Sequence, residues 1–136
     1  MFRFRRLELV TVAALAIVSA AATWLLPERP TTGFVGRYWD NTSWDGAPRT
    51  VTRSSAPTTS DILASAPWAS AGFASAEWTG VFTLSSAGRH TFSVRSDDGA
   101  WLWVDDTLVV DNGGTHGEEE RGGEVDLEAG VHRVRV

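Results

Sequence analysis

The sequence predicts an all-β fold, an antiparallel β-sandwich or barrel, with one N-terminal transmembrane helix. Three observations predict it. From residue 33 onward, apolar and polar side chains alternate with period two, in runs bounded by Gly, Asp, Asn and Ser. These runs are short and closely spaced, with no sustained helical periodicity, as in sandwiches and barrels. Ahead of them, residues 9–26 carry no charge and follow Arg3, Arg5 and Arg6.

The chain divides accordingly into a basic cytoplasmic end (1–8), a membrane span acting as a signal anchor (9–26), a linker (27–33) and a β-domain (34–136). A bilayer core of about 30 Å needs roughly 20 apolar residues, so the span is just long enough. The arginines hold the N-terminus in the cytoplasm, which makes this a single-pass cell-membrane protein with its β-domain outside. A cleaved signal peptide is the alternative, because Ala20, Ala21 and Ala22 offer a small-residue cleavage pattern, and the domain is then secreted. The apolar run continuing through Trp24, Leu25 and Leu26 favours the anchor.

The first strand is expected over residues 34–39, and the stretch 60–71 has room for a helical turn. In the next strand Ala74, Ala76, Trp78, Gly80, Phe82 and Leu84 share one face, with Ser75, Glu77, Thr79 and Thr83 on the other. A turn over 85–88 leads into a strand with His90, Phe92 and Val94 inward and Arg89, Thr91, Ser93 and Arg95 outward. Ser96-Asp97-Asp98-Gly99 ends it. Residues 100–104 are apolar on both faces, as in a central strand. Asp105-Asp106-Thr107 turns into a strand at 108–110, and residues 111–123 read as a polar, glycine-rich loop. A short strand around Val125 and Leu127 and a last one over 131–136 complete the series. That last strand stops with no turn after it, which predicts an unpaired apolar edge and a β-domain truncated in its last strands.

Composition narrows the chemistry. Residues 31–136 hold eight arginines and fifteen acidic residues, a formal charge of −7. This balance excludes nucleic acid bound through phosphate neutralisation, whereas carboxylates in turns suit a hard cation such as calcium. Without cysteine there is no disulfide, thiol nucleophile or thiolate metal site. Glycoside hydrolysis needs two carboxylates about 5–10 Å apart across a cleft, which neighbours in one turn do not supply. No nucleophile elbow or phosphate-cradling loop is present. The chain is read as a non-enzyme, or as a non-catalytic part of a larger enzyme.

Five ordered motifs carry a resemblance. Residues 33–42 (GFVGRYWDNT), Glu77-Trp78-Thr79-Gly80, residues 96–105 (SDDGAWLWVD), Val109-Val110-Asp111-Asn112 with His116, and residues 127–132 (LEAGVH) together resemble the PA14 domain over about residues 33–136. The resemblance implies a β-sandwich or barrel-like module of bacterial surface proteins, many of whose members bind glycans, some through calcium. It implies that Asp97 and Asp98 occupy the place of the calcium-binding aspartate pair, whose peptide bond is often cis. Asp106 departs from the pattern, since glycine is common there. So does the chain end, which falls before the loop that supplies an Asn ligand and further sugar contacts.

Asp97 and Asp98 are therefore the candidate metal ligands, with calcium as the candidate cofactor; the plain alternative is an ordinary Asp-Gly turn. Trp101, Asp111 and Asn112 are the candidate carbohydrate contacts. Trp101 and Trp103, two apart, point to one face and offer a sugar platform, although core packing is their expected role. Asp111-Asn112 with two following glycines is otherwise a loop start. Zinc at His116 and residues 118–120 is disfavoured, because a glutamate run is ordinarily a solvated face. The expected function is an extracytoplasmic, membrane-anchored carbohydrate-binding module that uses calcium, with cell-surface or envelope glycans as partners. The alternative is a non-binding spacer of a larger envelope-glycan enzyme. Protein docking through the acidic stretch 118–124 is a third reading.

Overall fold

The computed structural model describes residues 33–54, 56–71 and 74–136. The predicted span at 9–26 lies outside the described residues, among which no helix is long and apolar enough to cross a membrane. In order, the elements are β1 Phe34–Trp39, β2 Thr50–Ser54, α1 Thr59–Ser65, a 3-10 helix Pro67–Ala71, β3 Ser75–Leu84, β4 Gly88–Ser96, β5 Ala100–Val104, β6 Thr107–Asn112, β7 Glu119–Leu127 and β8 Gly130–Arg135.

A six-stranded antiparallel sheet, ordered β2-β1-β3-β8-β5-β6, packs against a two-stranded ribbon of β4 and β7. Period-two alternation sorts the side chains as expected. Leu102, Val104 and Val110 of the large sheet bury against Leu127 of the ribbon, with Phe82, Phe92, Val94 and Val125 around them. A second cluster forms where Tyr38 and Trp78 meet edge-on at 5.8 Å beneath Ala66, Ile62 and Trp68. Helix α1 starts where Thr58 accepts the Asp61 N–H at 3.2 Å, satisfying one of the orphan donors of the first turn.

Four sequence expectations change. The loop expected over 111–123 is mostly strand, because β6 runs to Asn112 and β7 begins at Glu119. In the ladder with β4, Glu120 lies opposite Arg95, which reaches it at 3.0 Å, while Arg121 reaches Glu119 at 2.9 Å. Residues 131–136 do not form an edge: β8 lies between β3 and β5, and Val136 exchanges both backbone hydrogen bonds with Trp78. Strand β2 escapes the sequence pattern because its apolar residue, Val51, faces solvent while Thr52 and Ser54 turn inward. Finally, Trp101 and Trp103 are half-buried on the outer face of the sheet, since Leu102 and Val104 take the core side of β5.

The two-residue connection between β5 and β6 places Asp105 at φ 47° and Asp106 at φ 68°, the left-handed pair of a type I′ hairpin turn. Asp105 holds the turn to β8. Its carboxylate accepts from the Arg133 N–H at 2.8 Å and meets His132 Nδ1 at 2.6 Å. Among the described residues Asp106 has only an exposed link to Arg133 at 3.4 Å, of a kind that contributes little. Glycine adopts a positive φ without steric cost, so Asp106→Gly is expected to stabilise the domain by about 0.5–1 kcal/mol. A melting temperature unchanged or lowered in that variant would show that Asp106 is held by more than its backbone.

Candidate functional site

Four segments cross between the sheets, two at each end of the sandwich. Residues 97–99 connect β4 of the ribbon to β5 of the large sheet, and residues 113–118 connect β6 of the large sheet to β7 of the ribbon. These two crossings lie at the same end of the sandwich, so they touch. Gly99 fits against the backbone of Gly113 and Gly114, where an added Cβ would come within 3.0 Å of Gly114 N. The backbone N–H of His116 donates to Asp98 Oδ1 at 3.1 Å.

Asp97 and Asp98 are both exposed, and the peptide bond between them is cis. Among the described residues, no side chain donates to the other Asp98 oxygen or to the Asp97 carboxylate, so their lone pairs face solvent. Below the turn, the fully buried Asn112 donates through Nδ2 to Ser96 Oγ at 2.8 Å and to Glu119 O at 3.2 Å. It thereby ties the ends of β4, β6 and β7 together. Its amide hydrogens are used inside the fold, so it supports the rim from beneath instead of reaching a ligand.

Asp111 is exposed and pairs across the strand with Trp101, so the two share the outer face. One Asp111 oxygen accepts the Gly113 N–H at 3.0 Å. The indole of Trp101 lies over Gly113, where an added Cβ would come within 2.7 Å of the ring. Trp44, 42% exposed, meets Trp101 edge-on at 6.2 Å and donates its indole N–H to Ala76 O at 3.2 Å. The rim therefore runs from a pair of tryptophans across a glycine shelf to a pair of aspartates.

Sequence reasoning marks Asp97, Asp98, Trp101 and Asp111, which the fold brings to one end. It misses the ring contact of Trp44 and the anchoring role of the His116 backbone, because both depend on segments far apart in the chain. Both His116 ring nitrogens face backbone carbonyls, Gly117 O at 2.8 Å and Asn112 O at 3.1 Å. Two acceptors favour the doubly protonated ring, and these carbonyls, Gly117 first, raise its pKa above the ordinary histidine value.

The model of the PA14 domain family matches residues 30–136. No curated protein matches the chain. Among solved structures, a β-glucosidase from Kluyveromyces marxianus is similar at 20% identity and a TM-score of 0.62, over 79% of this chain and 15% of that one. An anti-sigma factor domain-containing protein is similar at 19% identity and a TM-score of 0.59, over 81% of this chain and 38% of that one. A second protein of that description, from Clostridium clariflavum, is 23% identical with a TM-score of 0.53, over 80% of this chain and 39% of that one. The chain thus spans well under two thirds of each of these proteins, and the likeness is one of fold.

Proposed function

The chain belongs to the PA14 domain family, and from that premise we propose that its β-domain is a glycan-binding module, displayed outside the cytoplasm by the apolar span at residues 9–26. The observation that carries this reading is the convergence of the two crossings, which sets exposed carboxylates and half-buried tryptophan rings on one rim. Carboxylates accept sugar hydroxyls, and an indole covers the apolar face of a pyranose. The arrangement serves binding and supplies no acid–base pair across a cleft.

Calcium is the proposed ion. The donors suit it, being hard carboxylate oxygens in a glycine-bearing turn. Among the described residues no group of three or more His, Asp or Glu side chains stands together. Asp97 and Asp98 would therefore hold the ion with only part of the six to eight oxygens that calcium takes, leaving places for water and glycan hydroxyls. When bound, the ion would supply direct coordination of vicinal hydroxyls. Trp101 covers the sugar ring, Asp111 accepts a hydroxyl with its remaining oxygen, and Asn112 keeps the rim in place from below.

Calcium titration of the full chain in detergent, alongside retention on an array of neutral glycans, tests this. At ten times its Kd, calcium is expected to add about 1.4 kcal/mol of stability, raising the melting temperature by roughly 6 °C. Glycan retention should rise with it, and chelation should reverse both. The double variant Asp97→Asn, Asp98→Asn should lose both effects while melting normally without calcium. If neither calcium nor any glycan changes the wild-type protein, the domain is a spacer.

A further inference from the structure

We propose that the outer face of the six-stranded sheet carries a second carbohydrate site, centred on Trp103, that takes a sugar bearing a carboxylate. The strand register defines this face. Arg37 lies opposite Glu77, Thr79 opposite Arg135, and Arg135 opposite Trp103. Arg37, Arg53, Arg133 and Arg135, half of the arginines of an acidic domain, share this face by alternation along their strands. It faces away from the ribbon and the core.

A cavity of about 170 Å³ opens there, lined by Trp103, Thr79, Asp106, Arg133 and Arg135 among others. That is smaller than the ~300–1,000 Å³ of sites that enclose drug-sized ligands, and it suits a single sugar ring. The Arg135 guanidinium sits 4.1 Å from the centre of the Trp103 ring and 3.8 Å from Glu77, which also holds Arg37 at 3.4 Å. A guanidinium stacked on an aromatic ring keeps the N–H donors in its own plane available for a planar acceptor. Arg133, two residues earlier on the same face of β8, is engaged by Asp106 at 3.4 Å, with both side chains more than three-quarters exposed. A ligand carboxylate can replace so weak a partner. Asp105, the other carboxylate of the cavity, is held by His132 and by the Arg133 backbone, so it does not compete for the guanidiniums.

A hexuronate meets both halves of this cavity, its carboxylate between Arg133 and Arg135 and its ring along the part of the indole that Arg135 leaves open. The site lies two residues along β5 from Trp101, roughly 7 Å away, and uses none of the rim aspartates. It stands whether or not the rim binds calcium.

The test uses the full chain in detergent, first with a calcium chelator and then with calcium restored. The probes are a trimer of galacturonate, the same trimer with its carboxylates reduced to alcohols, and acetate. The galacturonate trimer is expected to quench and shift tryptophan fluorescence and to bind at least tenfold more tightly than either control. Added salt should weaken it, as for exposed charge pairs. Trp103→Ala should lower its affinity roughly tenfold through the lost ring contact, and Arg133→Gln by a similar factor through a lost charge-assisted contact, while circular dichroism confirms the fold. Equal binding of the reduced trimer or of acetate would overturn the proposal, as would undiminished affinity in both variants. Binding that appears only with calcium and disappears in Asp97→Asn would place the acidic sugar at the rim, overturning this site and supporting the other.

Discussion

Replacing Gly123 by alanine is expected to lower the melting temperature by roughly 15 °C. Gly123 lies on the inner side of β7, against the bulge of β6, where the register with β5 slips at Leu102/Trp103 and Val109 is the extra residue. A Cβ on Gly123 would fall 2.8 Å from the Val109 carbonyl carbon and closer still to its oxygen. The obstacle is backbone, which no rotamer change moves. Either β6 or β7 must shift, and both carry core residues, Val110 on one and Val125 and Leu127 on the other. Overpacking of this kind costs about 3 kcal/mol or more, and a domain near 100 residues loses about 4–8 °C per kcal/mol. The neighbouring Gly122 is the control. Its added Cβ would meet only Phe92 O at an ordinary 3.4 Å, and the residue is exposed. If Gly123→Ala melts within a few degrees of Gly122→Ala, the ribbon does not rest on the bulge.

The pair of His132 and Asp105 is expected to make a pH-dependent contribution to the stability of the domain. His132 is buried, lies 5.5 Å from the Phe82 ring, and has Asp105 at one ring nitrogen and Glu128 O at the other at 2.8 Å. The hydrogen bond to Asp105, then that to Glu128 O, raises the His132 pKa above its ordinary value. The same bond to His132, followed by the Arg133 N–H, lowers the Asp105 pKa. A raised histidine contributes stability that is complete below about 6.5 and is lost as pH rises through the folded value. A depressed carboxylate contributes stability present above about 4 and lost as pH falls through the folded value. The pair therefore stabilises most between about pH 4 and 6.5. Melting temperatures across pH 3–9 should fall on both sides of that window in the wild-type protein. His132→Gln should melt lower within the window and show a flatter profile. An unchanged profile in that variant would assign the pH dependence elsewhere.

Much of the fold and part of the rim are legible in the amino-acid sequence. The inward faces of β3 and β4 follow from alternation, and the turn at 97–99 follows from Asp and Gly between apolar runs. Motif order alone points to the family that matches residues 30–136. Other features are not legible, for identifiable reasons. Strand β5 is apolar on both faces, so its pattern does not say which face the core covers; the ribbon settles it by packing on Leu102 and Val104 and leaving both tryptophans outside. Residues 118–120 read as a solvated loop because the charges of Glu118 and Glu120 have no visible partners nearby in the linear chain. Arg95, more than twenty residues earlier, supplies them once β4 and β7 pair.

Local pattern is enough to set the β class, the alternation within each strand and the position of the aspartate turn, because these depend on neighbours a few bonds away. Long-range packing alone makes Trp44, Trp101 and the aspartates share a rim, buries Asn112 beneath it, and stacks Arg135 on Trp103 over a cavity. Each of these needs segments far apart in the chain to meet, and where they meet is set by which sheet covers which face.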